Sequence, residues 1–466
     1  MNSDSIKTLL AWCFSRKFWI DPRIRIVSGS HGVAVVSEDI EIPTETTLVH
    51  IPRQSVLSVK SSPISDLIPA SPYGRAAQLS LALALSVEIA NGETSAWHGY
   101  LQSLPRDLPG LFWVGGAGDF DMELLNGTEA AKLLVNLVEE VDEYYDEIAA
   151  SVFSQLPLSP PSLSEFRFAY GLVSSRAFLV DSYHGLAMVP IADAFNHIQD
   201  NHIHLESDFD VCPECGSLNR CLHDDHNDSI DEEAQRNEDD FYEMVSNRTI
   251  GPNEEIFNTY GDSLSNAQLF VQYGFILDVN ENDCLTWTAT DLAQFVDCGR
   301  IETIMPSLSI LPWELIEESE MVYRDARFSL NDDGSISHSL WLVFAFQVII
   351  PTTPINGLVP RLENLFQRQL ALERSITEGT PLSHDDEDDA ILKLAELLAS
   401  LCRARYERLS AGNKSNEELG DLLDTFSEGS PTRMAVSLVL TERSLLDSCM
   451  ASWEALTLVS PTSHNY

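Results

Sequence analysis

The sequence predicts an α+β protein in which several small β-sheets are interrupted by a helical insertion and followed by an α-helical C-terminal domain. Three observations carry this. β-branched runs alternate with turn residues from Ile24 to Ile51. From about Ser71 to Phe153 apolar residues instead recur at three- and four-residue steps, and the same helical period holds beyond Asp291. With 466 residues and 44% hydrophobic content the chain has room for two or three packed domains, which sets aside a disordered or fibrous protein.

Residues 1–22 read as an amphipathic helix, because Arg16 and Lys17 fall where a signal peptide needs an unbroken apolar core. A domain over residues 23–278 follows, opening with the strands IRIV, VAVVS and LVHIP and the tight turn SGSHG. Its helical insertion, about residues 60–165, carries AAQLSLALALSVEIA and AAKLLVNLVEEVDEYYDEIAASVF on either side of the aromatic, proline-containing segment Trp97 to Trp113. Strands and loops return from about Phe166 to Phe275. They are broken at residues 206–240 by a Cys/His-rich and acidic stretch too poor in apolar residues to pack, its latter part expected as a mobile loop. His202 and His204 alternate on what reads as one strand and are expected to share a face in structural roles.

Residues 291–466 read as a separate α-helical domain, with ENLFQRQLALERSI and AILKLAELLASLCRARYERL each amphipathic. The acidic run HDDEDDA between them suits a solvated turn and a helix N-terminus. The longest apolar runs, Ala76 to Ala90 and Leu340 to Pro351, are interrupted by polar residues and shorter than the roughly 20 residues that span a bilayer, so they read as buried helices.

Charge narrows the partners. With 28 basic and 72 acidic residues the formal net charge is −44, which repels phosphate backbones and concentrates cationic partners. This argues against direct nucleic-acid binding and for a Lys/Arg-rich protein substrate, the bland alternative being that the acid serves solubility. Five of the eight cysteines (Cys13, Cys284, Cys298, Cys402, Cys449) are isolated in sequence, which argues against a disulfide framework and for a place in the cytoplasm or nucleus. The other three cluster as Cys212-Pro-Glu-Cys215-Gly with Cys221. His223 and His226 follow, giving the spacing of a zinc knuckle with enough ligands for one structural zinc. A surface loop with incidental cysteines is the alternative.

Three segments, in this order, resemble the SET-domain protein lysine methyltransferases, in the branch that includes the Rubisco large-subunit and ribosomal-protein lysine methyltransferases. They are GSHGVAVVSEDI (Gly29 to Ile40), SSRAF with VPIADAFNH (Ser174 to Phe178, Val189 to His197), and EEIFNTYGDSLSNAQLFVQYGF (Glu254 to Phe275). The segment WHGYLQSLPRDLPGLFW is similar to one in that branch's insertion. The resemblance covers roughly Arg23 to Asp278 and implies a β-rich SET fold, S-adenosylmethionine as cosubstrate, and a ribosomal or other basic protein as substrate. It implies cofactor contacts at His31, Gly32, Val33, Ser175, Arg176, Asn196 and His197, an active-site tyrosine at Tyr260, and a lysine channel beside Asp193, Tyr273 and Phe275. One departure is that Ser30 stands where the family commonly has a glycine and Gly29 where it has an acid.

Methyl transfer from a sulfonium to an amine is an in-line displacement that needs a positioned, neutral lysine. An apolar channel ending at a positive sulfonium disfavours the ammonium form through desolvation and like charge, so no dedicated general base is required. Arg176 has a second reading as a structural ion pair with Asp193, and Tyr273 and Phe275 as core packing. For the whole chain the rivals are a catalytically silent SET module that binds peptides and an interaction protein built around the cysteine cluster.

Overall fold

The computed structural model describes residues 3–29, 32–69, 71, 73–108, 110, 122–207, 210–218, 221, 223, 241–261, 263–297, 299, 328–409 and 411–459. The chain forms two compact units. One comprises Met1–Ala117, Val135–Ser263 and Gln272–Gly274, the other Gly118–Leu134, Leu264–Val271 and Phe275–Tyr466.

The first unit opens with the helix Ser3–Ser15, which buries Ile6, Leu9 and Cys13 at three- and four-residue steps. Its strands are β1 (Trp19–Ile20), β2 (Ile24–Gly29), β3 (Gly32–Ser37), β4 (Thr47–Pro52), β5 (Leu57–Ser58), β6 (Ala177–Asp181), β7 (Gly185–Met188), β8 (Asn196–His197), β9 (Ile203–Glu206), β10 (Phe241–Ser246) and β11 (Phe257–Asn258). They form small sheets in the order β1-β4-β10-β9 and β5-β7-β6, the hairpin β2-β3, and the parallel pair β8-β11. The run LVHIP buries Leu48, Val49 and Ile51 completely, as expected of a strand inside a sheet.

The helix Gly74–Asn91 is apolar on every face and wholly buried from Leu79 to Glu88. It packs along the helix Leu163–Arg176, which a Ser162/Glu165 capping box starts. That helix and Asn266–Tyr273 lie in a stretch whose periodicity reads as strands and loops. Each starts from a side-chain cap, Ser162 for the first and Ser265 for the second, a local signal that outweighs weak periodicity.

In the second unit β12 (Cys284–Trp287) pairs antiparallel with β13 (Phe328–Asn331). This corrects the expectation of helix throughout the chain beyond Asp291: the buried Phe328-Ser329-Leu330 run is too short to show its period, and its partner strand settles it. The helices His338–Ile349, Leu358–Glu378, Asp388–Arg408, Asn416–Thr425 and Pro431–Val459 complete the unit. Asp388–Arg408 buries Ile391, Leu394, Ala395, Leu398, Leu401, Cys402 and Arg405 along one stripe. The acidic run does open this helix, yet Asp388 is buried and not solvated, held by Arg368 Nε at 2.7 Å and Nη2 at 3.0 Å. Inside the unit Arg405 Nη2 donates to Glu129 Oε1 at 2.8 Å, and the Glu129 N–H donates to Glu442 Oε1 at 2.8 Å. Two buried carboxylates thus share one guanidinium, and burial together with Glu129 pushes the Glu442 carboxyl up to about 8. Among the described residues no helix is long and apolar enough to cross a membrane.

Candidate active site

The first unit stitches three distant segments together. β3 meets the segment before β11 through Ser37 N–H to Glu254 O at 2.8 Å and Ile256 N–H to Val35 O at 2.8 Å. β11 then runs parallel to β8, pairing Phe257 with Asn196 and Asn258 with His197. Side chains lock the crossing. Asn196 Nδ2 donates to Glu255 Oε1 at 2.6 Å, and the Tyr260 N–H donates to His197 Nδ1 at 2.9 Å. A ring nitrogen that accepts carries no proton, so a neutral His197 has its proton on Nε2. The chain leaves this crossing at Tyr260, whose ring lies 5.1 Å from that of His197.

Tyr260 lines a cavity of about 170 Å3 together with Ser175, Arg176, Ala177, Phe178, Leu179, Asp193, Thr259 and Tyr273. This is smaller than the roughly 300–1,000 Å3 of clefts that enclose small molecules. It suits one slender side chain. Chain geometry explains the lining: the helix ending at Arg176 passes directly into β6 at Ala177, so consecutive residues from both elements face one space. Tyr273 ends its helix because Gly274 takes φ +76°, a left-handed conformation that favours glycine. The Tyr260 and Tyr273 rings stack at 4.6 Å between centroids.

One buried polar group anchors the floor. The Asp193 carboxylate accepts from the Tyr100 hydroxyl at 2.8 Å and stands 3.6 Å from Arg176 Nη1, which donates to the Asp193 carbonyl at 3.0 Å. Burial raises the Asp193 carboxyl above the usual carboxylate range, against the opposing pull of Arg176 and the Tyr100 hydrogen bond. Burial also raises the Tyr260 hydroxyl, which Arg176 opposes and Asp193 reinforces, and burial lifts Tyr273 further. Both phenols therefore stay protonated donors at neutral pH.

Of the residues named from sequence, Ser175, Arg176, Asp193, Tyr260 and Tyr273 meet at this cavity. Asn196 and His197 sit in the crossing behind Tyr260, Val33 is buried on β3 opposite Ser28, and Gly32 pairs with Gly29. His31 lies outside the described residues. Phe275 is half-buried and is not among the lining residues. The ion pair of Arg176 with Asp193 forms, and Arg176 lines the cavity as well. The Ser175 hydroxyl donates to the Gly171 carbonyl of its own helix at 2.7 Å. Sequence reasoning assigned no role to Tyr100, Thr259 or Glu255. Tyr100 did carry a signal, lying within WHGYLQSLP, but its partner Asp193 is 93 residues away.

His202 and His204 are corrected to different environments. His202 precedes β9, is buried and accepts from the Phe257 N–H at 3.0 Å, while the exposed His204 meets Asn247 Oδ1. Cys212, Cys215, Cys221 and His223 have their ligand atoms within 4.8 Å of one another. His226 and the acidic residues read as a mobile loop lie outside the described residues.

No family model matches the chain. It is 24% identical over 482 residues to an uncharacterised protein of Schizosaccharomyces pombe, covering 95% of each. It is also 24% identical to ribosomal lysine N-methyltransferase 3 of Saccharomyces cerevisiae, over 56% of this chain and 60% of that enzyme's length. The solved SET domain of LSMT bound to lysine and AdoHcy superposes with a TM-score of 0.66 at 17% identity, covering 97% of this chain and 91% of that one. Fold, segment order and relatives agree: the chain has the fold of the solved LSMT SET domain and is similar in sequence to ribosomal-protein and Rubisco large-subunit lysine methyltransferases.

Proposed function

We propose that this protein is a protein-lysine N-methyltransferase that uses S-adenosylmethionine and acts on a ribosomal or other basic protein, in the cytoplasm or nucleus. The observation that carries the reading is the cavity itself: a space sized for one side chain, walled by stacked Tyr260 and Tyr273 and floored by Arg176 and Asp193.

S-adenosylmethionine, when bound, supplies an electrophilic methyl group on a positive sulfonium. The chain's own residues fit such a ligand. Arg176 Nε is buried with no hydrogen-bond partner among the described residues, so an anionic group such as the methionine carboxylate would satisfy it. Main-chain groups of Gly32, Val33, Asn196 and His197, with His31 and Ser175, would hold the remainder.

The lysine side chain would enter between the aromatic walls, which accept both its methylene stem and its cation. Desolvation there favours the neutral amine. The Tyr260 hydroxyl, kept protonated, would orient that amine by hydrogen bonding at the inner end. Asp193 is engaged by Tyr100 and Arg176, so it serves as an anchor for the floor and not as the base. The acidic balance of −44 would draw in a cationic partner.

The test is incubation with isotope-labelled S-adenosylmethionine and cell extract, followed by mass spectrometry of the labelled protein. Label on a lysine of a basic protein is expected. Cofactor binding without transfer to any protein would identify a silent SET module instead.

A further inference from the structure

Among the described residues, the segment around Cys212 has little apolar burial. Between residues 210 and 223, Val211 is the one buried residue among those described. Apolar burial of these described residues does little to fix the fold of the stretch, yet its backbone is specific. The Gly216 N–H donates to the Cys212 carbonyl at 2.8 Å and the Cys212 N–H to the Ser217 carbonyl at 2.9 Å, closing a tight knuckle. Gly216 sits at φ +73°, where an added Cβ would also lie 2.9 Å from the Tyr183 ring.

Four potential ligands converge on this knuckle. Cys212 Sγ and Cys221 Sγ both lie 3.6 Å from the same nitrogen, His223 Nδ1. One imidazole nitrogen offers a single lone pair or a single N–H, so it cannot bond two thiols in line at once. A tetrahedral zinc removes the conflict. With Zn–S about 2.3 Å and Zn–N about 2.0–2.1 Å, sulfur and nitrogen ligands stand about 3.6 Å apart. Cys215 Sγ completes the group, all four atoms lying within 4.8 Å of one another. Three thiolates and one imidazole close the shell, which makes the site structural, and soft sulfur ligands in a tetrahedral arrangement suit zinc.

The knuckle is also tied to a wall of the cavity. The Ser182 hydroxyl, in the β6–β7 turn, donates to the Val211 carbonyl at 2.7 Å. The Ser207 hydroxyl donates to the Val180 carbonyl on β6 at 2.6 Å, and Gly216 abuts Tyr183 in the turn. β6 supplies Ala177, Phe178 and Leu179 to the cavity lining.

We propose that Cys212, Cys215, Cys221 and His223 bind one structural zinc ion, and that this metal clip holds the Cys/His segment against the β6–β7 turn, so that zinc maintains one wall of the cavity. The inference stands on the metal site alone and does not depend on which reaction the cavity performs.

The test uses the full chain purified without chelator. Elemental analysis should give about one zinc per chain for the native protein and less than about a tenth of that for Cys215→Ser. Cys215 is exposed, so its replacement leaves the core intact. Cobalt(II) exchanged into the native protein should show thiolate charge-transfer and tetrahedral d–d absorption. Withdrawing the metal from native protein should speed amide exchange across the β6–β7 hairpin by about tenfold or more. Zinc-free native protein that also gives no cobalt spectrum, a Cys212–Cys215 disulfide in its place, or full zinc in Cys215→Ser would overturn the site. Unchanged hairpin exchange after metal withdrawal would overturn the clip.

Discussion

Tyr260 and Tyr273 stack ring on ring, 4.6 Å between centroids and 20° from parallel, so that one wall of the cavity is made by two residues from different elements. Replacing Tyr260 by Phe keeps the stack and removes one donor. Methyl transfer should fall by about ten- to a thousandfold while affinity for S-adenosylmethionine changes little, because the hydrogen bond matters mainly in the transition state. Single-turnover transfer and calorimetric titration with the cofactor measure the two quantities; an undiminished rate would remove Tyr260 from the mechanism, and a large loss of affinity would move it into the cofactor pocket.

Tyr100 holds the Asp193 side chain that lines the same cavity. Tyr100→Phe takes the hydrogen bond from the buried Asp193 carboxylate and should cost about 1–3 kcal/mol of stability. It also frees Asp193 to shift against Arg176, so the KM for S-adenosylmethionine should rise. Denaturant unfolding and steady-state kinetics together check this, and a variant as stable as the parent would show that water replaces the phenol without penalty.

Glu442 predicts a pH dependence with a defined sign. Its carboxyl, raised from 4.5 to about 8 in the folded chain by burial and by Glu129, keeps its proton in a range where the unfolded chain has lost it. The unfolded state therefore binds fewer protons, and this group's contribution to stability declines as pH rises from about 4.5 toward 8. Glu442→Gln, which cannot ionise, should gain on the parent across that window. Unfolding midpoints of both proteins at several pH values would show the gap widening; a gap independent of pH would place the Glu442 carboxyl back in the ordinary range.

The balance of 28 basic to 72 acidic residues predicts that capture of the true substrate weakens as salt rises from low to physiological strength. Association rates at graded salt are the measurement. Binding indifferent to salt would mean the acid serves solubility alone.

How far the sequence went follows from the range over which each feature is encoded. Periodicity is local, so the buried helices at Ala76 to Ala90 and Leu340 to Pro351, the strands IRIV and LVHIP, and the small-sheet architecture were legible. The resemblance of three segments to the lysine methyltransferases named Arg176, Asp193, Tyr260 and Tyr273, and the fold places all four on one cavity. Partner choice is not local. That Asp193 takes the Tyr100 hydroxyl, that Asp388 is buried on Arg368, and that β13 is a strand at all depend on chains brought together from far apart. The cysteine spacing announced a knuckle, and the folded chain sets His223 Nδ1 equidistant from Cys212 and Cys221. Composition and period determine which residues are buried, because hydrophobic burial is proportional to area and blind to identity. Which polar groups meet inside is decided by tertiary packing, because hydrogen bonds and metal coordination require particular atoms at particular distances.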